Sequence, residues 1–191
     1  MNEIKKIIEN NKLPCFSPKD SQNSAIYVIS FTTELGSMIA CATQKGLCML
    51  EFEDSKRLDM DFRQLYKNFK IPFLQQENQH LKKLKIELSE YFDGKRKEFG
   101  IPLDVMGTEF QKKAWSALLK IPYGKTTNYA KQAEIIGKPT AARAVANANA
   151  HNKISVVVPC HRVIGVNGAL AGYAGGTWRK MRLLELEAKY V

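Results

Sequence analysis

The residues with the most chemistry in this chain are Cys160 and His161, within Val156-Val157-Val158-Pro159-Cys160-His161-Arg162-Val163. A thiol is a weak nucleophile until it loses its proton, and free cysteine has a pKa of about 8.5. An imidazole beside it, oriented by a carboxylate, supplies the missing activation. A lone cysteine is also often just a small buried hydrophobe. A zinc site is disfavoured, because no Cys-x-x-Cys pair exists and the chain has three histidines. Pro-Cys-His-Arg in series after an apolar run is an unusual combination for packing alone, so we read Cys160 as a nucleophile.

The elements that must hold it follow from pattern. Val156 to Val158 predict a buried strand, ended by Pro159, which has no N–H to give. Gly165 to Gly168 form a turn, and Gly172-Tyr173-Ala174-Gly175-Gly176 a glycine-rich loop that permits close backbone approach to a flat ligand. The loop lacks the Lys-Ser/Thr ending of a phosphate-binding loop. The last helix spans Trp178 to Lys189, with Met181, Leu184 and Ala188 predicted to face inward and Glu187 near its end. Upstream, Thr108 and Gln111 make a capping-box pattern for a helix through Phe110, Ala114, Trp115, Leu118 and Leu119. Thr127 is placed to cap a helix from Asn128 to Ile136, stopped at Gly137, and a further helix covers Ala141 to Ala150. The last two form a helix-turn-helix pattern. The second is rich in alanine, including Ala141 and Ala142, and a slim helix suits a minor groove about 6 Å wide. Packing against the domain's own core accounts for some of these alanines equally well. Arg143, the one long cation there, could contact phosphate, wedge into a base stack or sit in solvent.

Residues 25–105 predict a support domain of the α+β class. Three strands lie at Tyr27–Phe31, Met38–Thr43 and Leu47–Phe52, and helices at Lys56–Phe69 and Asn78–Phe92. Residues 1–24 are polar and proline-containing, a short helix or a loose arm. Residues 106–191 form the second domain. Composition bounds the rest: 191 residues suit one domain or two small ones. No apolar run reaches a membrane span, and the charged N-terminus has no signal-peptide core, which argues against export. Four cysteines without framework spacing suit a reducing cytosol. Net charge is +10, and it is uneven. Residues 1–100 carry 16 basic and 14 acidic side chains, whereas 101–191 carry 13 and 5. The basic surplus lies in the half holding Cys160 and favours a polyanionic partner such as nucleic acid.

With these motifs together, the chain resembles the O6-alkylguanine-DNA alkyltransferases, the methylated-DNA–protein-cysteine methyltransferases. The resemblance rests on Pro159-Cys160-His161-Arg162-Val163, Gly107-Thr108-Glu109-Phe110-Gln111 and Ile121-Pro122-Tyr123-Gly124. It rests also on Ala141-Ala142-Arg143-Ala144-Val145, Gly172 to Gly176 and Leu183-Leu184-Glu185-Leu186-Glu187. It is close from Gly107 to Glu187, looser from Ile26 to Phe110, and does not include residues 1–24. It implies a ribonuclease-H-like N-terminal domain, with a small antiparallel sheet and helices. The C-terminal domain would be winged-helix-like and mostly helical.

The resemblance also implies single-use alkyl transfer from O6-alkylguanine in double-stranded DNA, with O4-methylthymine a second substrate, to Cys160. His161 would take the thiol proton through a water and Glu187 would orient the imidazole. Asn152 would brace the turn, and Tyr129 would donate a hydrogen bond to the leaving base. Val163, Tyr173, Ala174 and Cys160 would form the base pocket; many relatives carry serine where Ala174 stands. The helix-turn-helix, with Ala141, Ala142 and Tyr129, would sit in the minor groove, and Arg143 would fill the gap left by the flipped base. No cofactor is expected, nor zinc, since Cys48 alone falls near a zinc-ligand position of some relatives. The protein is expected to act as a monomer in the cytoplasm, or the nucleus of a eukaryote. The competing readings are a non-catalytic lesion binder, a Cys-His hydrolase and a transcriptional regulator.

Overall fold

The computed structural model describes residues 3–16, 24–170 and 172–191. The chain divides into two units, Met1–Tyr91 with Phe99–Met106, and Phe92–Glu98 with Gly107–Val191.

The first unit is built on a five-stranded sheet of order β1-β5-β2-β3-β4. The strands are β1 (Cys15–Phe16), β2 (Ile26–Thr33), β3 (Gly36–Ala42), β4 (Leu47–Phe52) and β5 (Phe73–Leu74). β2, β3 and β4 form an antiparallel meander, as their alternation predicts, with a bulge at Cys41/Ala42. The sheet is not purely antiparallel, because β5 pairs in parallel with both β1 and β2. Those two-residue strands are too short to leave a periodic signal in the sequence. Helix α2 (Leu58–Phe69) and α3 (Gln79–Phe92) lie close to their predicted bounds.

Helix α1 (Glu3–Asn10) corrects the loose-arm alternative. Ile4, Ile7 and Ile8 recur at helical spacing and are buried in one cluster with Val28, Ile39, Met49, Leu58, Phe62 and Phe73. Burying an isoleucine is worth about 1.5–3 kcal/mol, enough to order eight otherwise polar residues. Residues 17–23, also assigned to the arm, lie outside the described residues.

The second unit is helical. Helix α4 is Glu109–Leu118, with the predicted capping box present in both directions. The Gln111 N–H donates to Thr108 Oγ1 at 3.2 Å and the Thr108 N–H donates to Gln111 Oε1 at 2.9 Å. Leu119 lies past its end and is exposed. Helix α5 is Tyr129–Ile135, and its N-cap is Asn128, not Thr127: Asn128 Oδ1 accepts from the Lys131 N–H at 2.9 Å. Thr127 and Asn128 instead form β6, paired in parallel with β7 (Val163–Ile164). Helix α6 is Ala142–Ala150 and α7 is Thr177–Lys189.

Helices α4, α5 and α6 are tied by polar side chains inside their contact. Gln132 on α5 and Asn149 on α6 exchange amide hydrogen bonds at 3.1 and 2.7 Å, and Gln132 Nε2 also reaches the Ala114 carbonyl at 2.9 Å. Trp115 Nε1 donates to the Ala148 carbonyl at 2.8 Å. Buried polar groups are costly unless paired in this way. Gly137, in the turn between α5 and α6, has φ 71°, a left-handed conformation that glycine adopts without steric cost.

Candidate active site

Cys160 opens a three-residue 3-10 turn, Cys160–Arg162, that leads into β7. The segment before it is not a strand. Val156, Val157 and Val158 are buried, but they lie in a tight turn in which the Val158 N–H donates to the Ile154 carbonyl at 2.9 Å and the Val157 N–H to Ser155 O at 2.8 Å. Val156 has φ 69°, a conformation that β-branched residues avoid. Pro159 therefore terminates no ladder. The apolar run is legible as burial, but side-chain bonds from just upstream decide its backbone.

Those bonds come from Asn152. Its Nδ2 donates to the Val158 carbonyl at 2.8 Å and reaches Cys160 Sγ at 3.3 Å, while its Oδ1 accepts from the Ile154 N–H at 3.0 Å. One buried amide thus closes the turn and contacts the thiol it delivers. Cys160 itself is partly exposed.

His161 and Glu187 are both fully buried, with 0% of their surface accessible. His161 Nε2 lies 2.9 Å from Glu187 Oε1. Its Nδ1 has no hydrogen-bond partner among the described residues. Burial holds the imidazole below its ordinary pKa, with Arg162 and Lys180 acting in the same direction and Glu187 against them. The ring is therefore neutral at pH 7, with Nε2–H donating to the carboxylate and Nδ1 left as the basic nitrogen. Burial alone would raise the Glu187 pKa, but the bonds and charges of His161 and Arg162 outweigh it and bring the group down to about 2.

Arg162 was not singled out in the sequence. Its Nε bonds both Glu187 oxygens at 3.1 and 3.0 Å, its Nη2 bonds Oε1 at 2.9 Å, and its Nη1 donates to the Ile121 carbonyl at 2.6 Å. The Gly124 N–H donates to Glu187 Oε2 at 3.0 Å, so the Ile121-Pro122-Tyr123-Gly124 motif serves the carboxylate. Lys180 was also missed. It is fully buried, with Nζ on the Val163 carbonyl at 2.6 Å. Burial lowers its pKa, and the Cys160 sulfur opposes that shift. The seven-residue spacing from Lys180 through Leu183 to Glu187 puts all three on one face of α7, a signal available in the sequence. That face, not Met181, points inward: Met181 is 44% exposed and Ala188 is exposed as well.

The remaining candidates fall in two groups. The β6–β7 pairing places Asn128 opposite Ile164 and so brings Tyr129 towards the thiol. Burial raises the Tyr129 pKa and the Cys160 charge raises it further. Val163 follows the turn directly, and the Tyr173 ring stands edge-on to His161 with centroids 6.5 Å apart. Ala174 is exposed on the glycine loop. Arg143 is exposed on α6, while Ala141 and Ala142 are half-buried at its start. Val145, Ala148 and Asn149 take the inward face of that helix. Among the described residues, no cluster of three or more His, Cys, Asp or Glu side chains could hold a metal ion. Cys48 is buried, with Sγ on the Cys41 carbonyl at 3.2 Å. Among the described residues no helix is long and apolar enough to cross a membrane.

Both stretches of the chain match known proteins. The 6-O-methylguanine DNA methyltransferase ribonuclease-like domain matches residues 26–105, and the DNA-binding domain of the same family matches 109–189. A methylated-DNA–protein-cysteine methyltransferase of Mycobacterium leprae is 56% identical over 105 residues, 55% of this chain and 64% of that one. The matched stretch thus spans just under two thirds of that relative. One from Methanosarcina acetivorans is 40% identical over 163 residues, 85% of this chain and 98% of that protein. The crystal structure of the Mycobacterium tuberculosis homologue in complex with DNA superposes with a TM-score of 0.75 at 36% identity, covering 87% of this chain and 95% of that one. Matches that span both units and nearly the whole of a relative at 40% identity place the chain in the 6-O-methylguanine DNA methyltransferase family.

Proposed function

We propose that this protein repairs DNA by direct reversal, as a methylated-DNA–protein-cysteine methyltransferase. It moves a methyl or larger alkyl group from O6 of guanine, and from O4 of methylthymine, onto Cys160 Sγ. The observation that carries the reading is a partly exposed thiol touched by a buried amide and backed by a buried, neutral His161 bonded to Glu187.

In the reaction, Sγ attacks the alkyl carbon, a carbon–sulfur bond forms, and the carbon–O6 bond breaks. The thiol proton passes towards His161 Nδ1, through a water, and Glu187 stabilises the imidazolium while it lasts. Tyr129 donates to the base as negative charge develops on it, which improves guanine as a leaving group. The proton ends on the base, so restored guanine and a thioether are the products. Among the described residues, no group near Cys160 could cleave a thioether, so each molecule acts once.

The target atom is inaccessible in a stacked duplex, and the base must be turned out at a cost of a few kcal/mol. Arg143, exposed on the slim helix α6, fills the space left in the stack, and α6 with Ala141 and Ala142 enters the minor groove. The main chain at Cys160, Val163 and Ala174, with the Tyr173 ring, receives the base. The +8 surplus of residues 101–191, from 13 basic and 5 acidic side chains, supports binding to the phosphate backbone. Work as a monomer in the cytoplasm suits four free cysteines, which need reducing surroundings.

Mass spectrometry of the intact protein and its peptides, after mixing with a duplex carrying one O6-methylguanine, tests the proposal. One methyl on the Cys160 peptide with guanine restored is the expected result. Tight binding by the reduced protein with no mass change identifies a lesion binder instead. Absence of binding, with turnover of an ester or amide, identifies a hydrolase.

A further inference from the structure

We infer that Arg162 is a positioning residue: by occupying the Glu187 carboxylate it keeps the resting site as a neutral thiol beside a neutral imidazole, so that Cys160 stays quiet until a base is bound. This rests on the acceptor reading of Cys160, and its test is independent of DNA.

The geometry is unlike that of a carboxylate serving an imidazole alone. When a carboxylate faces only an imidazole, its charge favours the imidazolium and hence a thiolate–imidazolium pair. Here Glu187 Oε1 is shared between His161 Nε2 and two guanidinium nitrogens, and Oε2 takes Arg162 Nε and the Gly124 N–H. A guanidinium is always charged and its planar fork fits a carboxylate. The Ile121 carbonyl, 2.6 Å from Nη1, holds the other side of that fork in place.

Glu187, Arg162 and Lys180 bear on the charge of His161, and other titratable groups stand around them. Helix α7 supplies Glu187 and the buried cation Lys180, and the 3-10 turn supplies Arg162 and Cys160. Tyr173 stands edge-on to the ring, Tyr123 lies by Arg162 and Glu187, and Tyr129 is beside Cys160. Glu187 is the one carboxylate in this set, and Arg162 neutralises it. An imidazolium would thus form in a dry site between two cations. The consequence suits a protein whose nucleophile can be used once: small electrophiles in the cell meet a thiol, not a thiolate.

The test is the pH dependence of Cys160 alkylation by iodoacetamide in the DNA-free protein, read on the Cys160 peptide so that exposed Cys15 does not contribute. In that step the thiolate attacks the methylene carbon, iodide leaves, and the thiol proton goes to solvent by way of His161. Arg162→Gln is expected to raise the rate at pH 6.5 about tenfold, the result of about one pKa unit of thiol acidification. Arg162→Lys, which keeps a cation, is expected to stay within about threefold of the unmodified protein. A folded Arg162→Gln protein whose profile overlays the unmodified one, or is slower, overturns the inference. If the variants do not fold, nitrogen-15 NMR of the unmodified protein decides. The expected spectrum is a predominantly neutral His161 with its proton on Nε2 at pH 7; an imidazolium at pH 7 refutes the proposal. Failure of methyl transfer from DNA, with the iodoacetamide result as expected, would count against the repair reading alone.

Discussion

Asn152→Ala is the substitution from which the structure predicts most. The alanine removes a donor to the Val158 carbonyl and an acceptor for the Ile154 N–H, both in a buried turn. The Ile154 N–H is orphaned at a cost of about 1–3 kcal/mol, and the Val158 carbonyl, which keeps the Cys160 N–H at 2.8 Å, loses one bond worth about 0.5–1.5, so the change costs about 1.5–4.5 kcal/mol. The same bonds hold Val156 at φ 69°, so their loss also frees a strained residue to relax and move the thiol. Both tryptophans, Trp115 and Trp178, lie in the second unit. Their fluorescence in urea therefore reports that unit. With a urea dependence of about 2 kcal/mol per molar, the midpoint should fall by about 0.8–2.2 M. Methyl transfer to Cys160 should slow as well, even in urea-free buffer. A midpoint shift under about 0.5 M, or transfer at the unmodified rate, would show that the turn does not depend on Asn152.

Arg143→Ala should slow transfer from duplex DNA more than transfer from free O6-benzylguanine, measured as single-turnover rates; equal losses would remove its part in base flipping. Ile7→Ala should destabilise the first unit by about 2–5 kcal/mol, as loss of a buried isoleucine does, read by far-ultraviolet circular dichroism in urea; a cost below about 1 kcal/mol would mean that α1 is dispensable. Glu187 is held from its ordinary 4.5 down to about 2, which corresponds to about 3 kcal/mol of stability present above pH 4.5 and lost as pH falls towards 2. Buried His161 adds loss of the same sign, beginning near pH 6.5, because the unfolded imidazole gains a proton that the folded one does not. Tryptophan fluorescence should therefore report acid unfolding that is less steep below pH 4.5 in Glu187→Gln, and identical acid limbs would refute the assignment.

Much of this was legible in the chain because it is local. The capping box of α4 needs only Thr108 and Gln111, and the meander of β2 to β4 needs only alternation and turns. The glycine that ends α5 and the triad candidates were readable from residue type and motif. What escaped depends on polar bonds that hydrophobic pattern does not show. Val156 to Val158 have the composition of a strand, yet Asn152 bends them into a turn. Thr127 has the chemistry of a cap, yet pairing with Val163 draws it into β6 and leaves the cap to Asn128. Met181 is more apolar than Lys180, but the lysine faces inward because a carbonyl at Val163 receives it. In each case a polar bond, near or far in the chain, overrode a correct local preference.

Glu187, and not Cys160, is the structural centre of the second unit. Its two oxygens gather the 3-10 turn through His161 and Arg162, and the loop after α4 through Gly124, while Arg162 carries the connection on to Ile121. A carboxylate with so many donors cannot be exchanged for a neutral group without loosening three segments together. Function at the thiol and stability of the domain are therefore linked through one side chain. A substitution at Glu187 should lower both, whereas Cys160→Ala should abolish transfer and leave the donors on Glu187, and with them the fold, in place.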